Sequence, residues 1–152
     1  MAWLRPLLFD TSILIPLIRE EAYETLFQWA LRAGRARLSS VVMQELYAGA
    51  RTPADKRNYD GINLAFVRRG YMISPTHDDW ILSGVLLARY QQLHGNVEPR
   101  AHINDILIAL CTVKASATLV TENAEDMERW RKMLKRAGKP FAIMAVKREE
   151  YR

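Results

Sequence analysis

Four acidic residues, scattered along the chain, have side chains that could work together in catalysis: Asp10, Glu45, Asp105 and Asp126. Carboxylate oxygens suit Mg²⁺ or Mn²⁺, whereas zinc prefers clusters of histidine and cysteine. The three histidines, His77, His94 and His102, lack the spacing of zinc ligands. If the fold brings the four acids together, we therefore expect a magnesium or manganese site.

The first two acids have both functional and structural interpretations. Asp10 follows the apolar run Leu4–Phe9 and precedes two hydroxyl residues. This position could hold a cation at the end of a strand, and it is also typical of a helix N-cap. Glu45 lies beside apolar positions of a predicted helix, where burial of a carboxylate is costly unless a cation or donor compensates. The alternative for Glu45 is a boundary position at which the carboxylate reaches water.

The other two acids also leave alternatives open. Asp105 is predicted to open a helix over Ile103–Ala115, where the helix dipole would keep its carboxylate ionised. Capping of that helix by Asn104 or Asp105 is the alternative. Asn123 and Asp126 follow a predicted strand, and each could supply an oxygen ligand. Alternatively, they belong to a turn and the first turn of a helix.

The elements that must position these acids alternate between short apolar runs and amphipathic segments. The predicted strands are residues 4–9, 35–40, 71–75, 117–121 and 140–146. The first predicted helix begins at residue 11 or 12, and the others cover residues 20–33, 41–50, 53–70, 78–93, 103–115 and 124–137. This alternation predicts an α/β fold with a parallel sheet and helices on both faces. Ligands of such sheets bind beyond the carboxyl ends of the strands, near the point where strand order reverses.

The bulk composition is that of one globular domain over residues 1–152. The net charge of +5 favours an anionic partner such as nucleic acid. Cys111 is the single cysteine, so we expect a buried, inert thiol and a reducing compartment. No apolar run approaches the roughly 20 residues of a membrane span, and the N-terminus is wrong for a signal peptide. We therefore expect a soluble, cytoplasmic protein.

Four segments carry a family resemblance: "LLFDTSILI", "SSVVMQELYAGA", "HINDILIALC" and "LVTENAEDMERW". In order and spacing they resemble the PIN domain, particularly the VapC-type toxins of bacterial toxin–antitoxin pairs. The resemblance implies an α/β/α sandwich around a parallel sheet. It also implies an Mg²⁺- or Mn²⁺-dependent endoribonuclease that cleaves RNA by metal-activated water. Such a protein would be a homodimer silenced by an antitoxin that inserts a peptide into the active-site groove.

The resemblance also assigns the site residues. The first three acids of the family correspond to Asp10, Glu45 and Asp105. Relatives place a fourth acid where either Asn123 or Asp126 stands, and here only Asp126 is acidic. We expect Asp10 and Asp105 to be direct metal ligands, with Glu45 and Asp126 holding a second ion or orienting the attacking water.

RNA must approach a negatively charged site, so basic side chains around it must supply the attraction. The candidates are Arg51, Lys56, Arg57, Arg129, Arg131, Lys132, Lys135 and Arg136. A solvated helix face is the alternative for each group. Trp80 and Trp130 could stack on bases, but packing in the core or in a dimer is the favoured interpretation.

Three other functions remain open at this point. A receiver-like signalling domain also holds Mg²⁺ with acids at strand ends, but it needs an acidic pair after the first strand and an aspartate after the third. A catalytically inactive PIN binding module would keep the fold without cleavage. A PIN nuclease could also act in RNA processing, or on DNA, outside toxin–antitoxin systems.

Overall fold

The computed structural model describes residues 5–151. Its five strands are β1 (Leu7–Phe9), β2 (Ala36–Ser39), β3 (Met72–Ile73), β4 (Thr118–Thr121) and β5 (Ala142–Ala145). The strands form one sheet in the order β3-β2-β1-β4-β5, and each neighbouring pair is parallel. The prediction of an α/β fold with a central parallel sheet is confirmed.

The strand order reverses at β1. The chain runs from β1 to β2 and β3 on one side, then returns to place β4 and β5 on the other side. The crevice beyond the carboxyl ends of β1 and β4 is therefore the switch point at which such sheets bind ligands. A receiver-like domain has β1 between β2 and β3. Here β1 lies between β2 and β4, so that alternative does not fit.

Seven α-helices within residues 5–151 connect and cover the strands. They are α1 (Thr11–Glu20), α2 (Glu24–Arg32), α3 (Ser40–Ala48), α4 (Pro53–Arg68), α5 (His77–His94), α6 (Pro99–Lys114) and α7 (Ala124–Arg136). Side-chain caps start several of them, including capping boxes at Thr52 for α4 and Thr76 for α5. A short 3₁₀ turn, Arg148–Tyr151, ends the described chain.

The helix that carries Asp105 begins earlier than predicted. α6 starts at Pro99, with Glu98 as its N-cap, so Asp105 is the seventh residue of the helix and not part of its first turn. The predictions that Asp105 is ionised by the helix dipole, or that Asn104 or Asp105 caps the helix, are therefore wrong. The dipole's influence is confined to the first turn.

Two other boundaries differ from the predictions. The helix predicted over 20–33 is interrupted, because Glu21 and Tyr23 adopt positive φ angles of 56° and 64°. α1 consequently continues to Glu20 and α2 starts only at Glu24. The first strand was predicted to start at Leu4, which lies outside the described residues, and pairing begins at Leu7.

The core lies on both faces of the sheet. Strands β1, β2 and β4 contribute buried side chains to it, whereas the edge strands β3 and β5 contribute none. Cys111 and Trp130 are both 0% exposed, which confirms the buried thiol and the packing role of Trp130. Trp80 is 51% exposed, so it does not belong to the core. No helix in residues 5–151 is both long and apolar enough to cross a bilayer.

Candidate functional site

Asp10 lies at the carboxyl end of β1, at the switch point. Phe9 pairs with Val120, so the next residue on each strand, Asp10 and Thr121, become neighbours. The Thr121 hydroxyl donates to Asp10 Oδ2 at 2.8 Å, and the Ser12 hydroxyl donates to the same oxygen at 2.9 Å. Asp10 Oδ1 accepts from the Thr11 amide at 2.8 Å, so Asp10 is also the N-cap of α1. The N-cap interpretation is confirmed, and it leaves the cation-binding one untouched.

Burial dominates the electrostatics of Asp10. Only 6% of the residue is exposed. Burial raises the pKa of the Asp10 carboxyl above its ordinary value, although the hydrogen bonds from Thr121, Ser12 and Thr11 oppose that rise. Three hydrogen-bond donors orient the buried carboxylate firmly, but within residues 5–151 it forms no ion pair.

Glu45 approaches Asp10 from α3 through a shared hydroxyl residue. The Thr11 hydroxyl donates to Glu45 Oε1 at 2.8 Å. Burial and the charge of Asp10 raise the pKa of Glu45, while hydrogen bonds from Thr11 and the Asn104 side chain lower it. Glu45 is half-buried, as expected of a boundary position. Its carboxylate does not simply reach water, however, because it also accepts the hydrogen bond from Thr11.

Asp105 faces the same crevice from α6. Its pKa is raised to about 7, first by burial and then by the charges of Asp10, Glu45 and Asp126. The nearby guanidinium of Arg129 lowers it in part. Asp105 is therefore within electrostatic range of the other three predicted acids. We call Asp10, Glu45, Asp105 and Asp126 the acidic cluster.

Asp126 lies at the solvent edge of the acidic cluster, in the first turn of α7. Its side chain is 60% exposed and forms an ion pair with Arg129 at 3.2 Å. Asn123 is the N-cap residue of α7, but its side chain makes no capping hydrogen bond and is exposed. The backbone amide of Asn123 instead donates to the Thr121 hydroxyl at 2.9 Å. Both candidates for the fourth position therefore remain close to the site.

The donor set fits a hard divalent cation in its chemistry. Carboxylate oxygens from the end of β1 and from α3, α6 and α7 lie around one crevice with hydroxyl and amide oxygens, and no sulfur ligand lies among them. A carboxyl that keeps its proton up to about pH 7 marks an excess of negative charge that a cation would relieve. Within residues 5–151, no three His, Cys, Asp or Glu side chains are already placed close enough to hold an ion together. Side-chain rotation would have to accompany metal binding.

Several contributors to the site have only weak sequence signals. Ser12 bonds both the Asp10 carboxylate and the Glu122 amide, the latter at 3.0 Å, and so ties the ends of β1 and β4 together. The hydroxyl pair after Asp10 was the visible signal for it. Asn104 contacts both Glu45 and Gln44, and only its position beside Asp105 could have suggested this role.

The basic candidates divide into paired and unpaired side chains. Arg129 lies against the acidic cluster, Arg131 pairs with Glu128, and Lys56 pairs with Asp60. Lys132 and Arg136 are exposed on α7.

The fold is similar to those of three solved complexes. VapBC2 from Rickettsia felis, bound to a DNA fragment from its promoter, gives a TM-score of 0.61 at 21% identity over 93% of this chain and 98% of that one. DNA-bound VapBC from Salmonella typhimurium gives 0.64 at 20% identity, over 93% and 98%. FitAcB from Neisseria gonorrhoeae gives 0.60 at 16% identity, over 91% and 96%. At these identities the likeness is one of fold.

No curated protein has a sequence that matches this chain significantly. The family model of the PIN domain does match it, over residues 7–132. That range includes β1, β4 and the whole acidic cluster. The chain therefore belongs to the PIN domain family.

Proposed function

We propose that this protein is a Mg²⁺-dependent endoribonuclease, with Mn²⁺ as a possible substitute, and that it is the toxin of a toxin–antitoxin pair. The observation that carries the nuclease proposal is the grouping of one buried and two half-buried acids around the switch point, where burial and the charges of Asp10, Glu45 and Asp126 raise the pKa of Asp105 to about 7. Strongly perturbed acids in a crevice favour a functional site over simple helix capping.

The four acids would divide into two pairs with different roles. Asp10 and Asp105 are the best candidates for direct metal ligands, because burial raises the pKa of both carboxyls and neither forms an ion pair within residues 5–151. Glu45 and Asp126 would hold a second ion or orient the attacking water. A bound divalent cation would supply charge neutralisation and an activated water for attack on the phosphodiester. Thr11, Ser12 and Thr121 would fix the carboxylates in place through their hydroxyl groups.

The toxin assignment rests on the fold neighbours as well as on the site. VapBC and FitAcB are toxin–antitoxin complexes, and each alignment covers at least 91% of this chain. We therefore propose a cognate antitoxin as a protein partner. The net charge of +5 supports an anionic substrate such as RNA, and we propose that the protein meets this substrate in the cytoplasm.

We also propose a homodimer of one-domain subunits that span residues 1–152. The supporting surface lies on α5, where Trp80, Ile81 and Val85 are 51%, 57% and 41% exposed. Large apolar side chains grouped in this way are typical of an interface. Replacing Ile81 with lysine is expected to shift the sedimentation coefficient from dimer to monomer. An unchanged coefficient would place any dimer contact elsewhere.

Two alternatives use the same fold. A PIN nuclease of RNA processing, or one that acts on DNA, would be active without arresting growth. A catalytically inactive PIN binding module would bind nucleic acid and leave it intact. Growth arrest on expression without a partner, combined with cleavage by the pure protein, separates the toxin from both.

The direct test is cleavage of structured RNAs by pure protein in Mg²⁺, with and without EDTA. We expect cleavage only with the metal, and loss of cleavage in Asp10→Ala and in Asp105→Ala. The matched control is Asp78→Ala, which removes an exposed aspartate of α5 and should cleave normally. Cleavage that survives EDTA or either site substitution would refute the metal mechanism.

A further inference from the structure

A groove leads away from the acidic cluster between α5 and α7. Its volume is about 450 Å³. Tyr90, Leu93 and His94 line it from α5, and Arg129, Lys132 and Arg136 line it from α7. We call it the α5–α7 groove. Resting on the nuclease proposal, we propose that it binds unpaired nucleotides of the RNA substrate next to the cleavage position.

Arg129 connects the groove to the acidic cluster. Its guanidinium contacts Asp126 Oδ1 and the Tyr90 hydroxyl, each at 3.2 Å. The same group affects the pKa of Asp105 and lies 5.6 Å from the centre of the Tyr90 ring. A strand of RNA with one phosphate at the acidic cluster would therefore meet the groove immediately beyond it.

The α7 side of the groove offers cations in a row. Arg129, Lys132 and Arg136 follow one another at spacings of three and four residues, so they share a helix face. The row extends about 10 Å along the helix axis. Lys132 and Arg136 form no ion pair with another residue in the described part of the chain. Lys132 lies near Glu128, but that carboxylate is already paired with Arg131, so both Lys132 and Arg136 are available to phosphates.

The α5 side of the groove offers flat and apolar surface. The rings of Tyr90 and His94 are 4.6 Å apart, and Tyr90 in turn packs on the buried Trp130 at 5.1 Å. Leu93 is 67% exposed, the largest exposure among the large apolar side chains of the described residues. Aromatic and apolar faces beside a row of cations are the combination that binds single strands, because unpaired bases stack while phosphates are neutralised.

Two acids also line the groove, and their positions favour a directional site. Glu128 forms an ion pair with Arg131, which does not line the groove. Glu125 lies in the first turn of α7, beside Asp126 and far from Arg136. Glu125 thus adds negative charge next to the acidic cluster, the charge of Glu128 is balanced by Arg131, and Arg136 lies at the end of the groove away from both acids.

The test is the affinity of a labelled single-stranded RNA of about 12 nucleotides, measured by fluorescence anisotropy in EDTA so that no cleavage occurs. Lys132→Glu combined with Arg136→Glu should weaken binding about ten-fold and lower the salt slope by about 1.4, the value for two phosphate contacts on a single strand. The matched control is Arg68→Glu with Arg69→Glu, which makes the same charge change at the end of α4, by the opposite edge of the sheet. Circular dichroism verifies folding of all variants.

A second variant, His94→Ala, tests stacking on an exposed side chain. We expect a loss of about three-fold in affinity with an unchanged salt slope, because stacking neutralises no phosphate. Equal losses in the groove and control double variants would overturn the proposal. So would tighter binding of a duplex of the same sequence, or competition by oligoglutamate as effective as that by unlabelled RNA, which would indicate a peptide site.

The groove and the nuclease proposal can fail separately. Groove-dependent binding in a protein that never cleaves RNA with Mg²⁺ would contradict only the nuclease. Normal cleavage and normal binding by the Lys132→Glu, Arg136→Glu variant would contradict only the groove.

Discussion

Asp10 and Asp126 both belong to the acidic cluster, but they differ in their contact with water. Asp10 is 6% exposed, and three hydrogen bonds fix its carboxylate. Asp126 has a side chain that is 60% exposed and a single ion pair with Arg129. The charge of the inner acid is costly in the absence of a cation, whereas the outer acid is solvated and already paired.

This difference suggests that the acids contribute unequally. A cation bound beside Asp10 would replace the water that burial removes from this carboxylate. Removal of the cation, or of the Asp10 charge that binds it, should therefore cause a large loss of cleavage rate. The outer acid shares its charge with Arg129 and with water, so its loss should be tolerated better. Substitution of the acids one at a time tests this ranking.

Asp10→Asn should reduce the Mg²⁺-dependent cleavage rate by about a thousand-fold, which is about 4 kcal/mol of transition-state stabilisation. The amide keeps the size of the side chain and removes the charge that a cation needs. Initial rates at saturating RNA provide the measurement. A rate loss in Asp126→Asn as large as that in Asp10→Asn would break the ranking.

Asp105→Asn should change the pH dependence of stability of the metal-free protein. Burial and neighbouring acids raise its pKa from 3.8 to about 7, so the folded state keeps a proton that the unfolded chain has lost. The free energy of unfolding of the wild type should therefore fall as pH rises from about 4 to about 7, and stay level above that.

The Asp105→Asn variant has no carboxyl at this position, so its free energy of unfolding lacks this fall with pH. Relative to the wild type, it should gain about 2 kcal/mol in free energy of unfolding between pH 4 and pH 8, after allowance for the partial exposure of the group. Urea denaturation in EDTA at the two pH values measures the difference. A difference between variant and wild type that does not change with pH would show that Asp105 is not desolvated as described.

Thr121→Val should weaken divalent metal binding by about ten-fold, because it removes a hydroxyl that orients the Asp10 carboxylate and accepts from the Asn123 amide. Thr121→Ser keeps the hydroxyl and is the matched control. Thermal shift on titration with Mn²⁺ reports the affinity. If the serine variant loses as much as the valine variant, packing of the methyl group and not the hydrogen bond would be responsible.

Asp126→Asn should change the free energy of unfolding by less than about 0.5 kcal/mol, because its ion pair with Arg129 is exposed. Its cleavage rate should fall by about ten-fold or less. Chemical denaturation at neutral pH checks the first value. A loss of stability above 1 kcal/mol would mean that the Arg129 pair is part of a larger network.

The positions of Asp10 and Thr121 could be predicted from the sequence, because each follows a short apolar run that reads as a buried strand. The alternation of strands and helices then implied a common edge for them. The apolar pattern does not indicate the start of α6, because the first turn is polar and the apolar periodicity begins only at Ile103. Pro99 after Glu98 was the available signal, since proline is favoured at the first position of a helix.

Other features have no comparable signal. Tyr23 adopts a left-handed conformation, which bulky residues rarely do, and its neighbours in sequence give no reason to expect it. Its hydroxyl contacts Glu122, which Arg148 also binds from the C-terminal turn. Contacts between segments so far apart in the chain arise from packing of the whole domain. Likewise, the depth of burial that sets the pKa of Asp105 depends on several elements at once.

Calorimetric titration of metal-free protein with Mn²⁺ tests the central claim most directly. The wild type and Asp126→Asn should bind the ion with affinities within a few-fold of each other, while Asp10→Asn and Asp105→Asn should show no saturable heat. Undiminished binding by Asp10→Asn and Asp105→Asn would contradict the assignment of the inner carboxylates as the metal site.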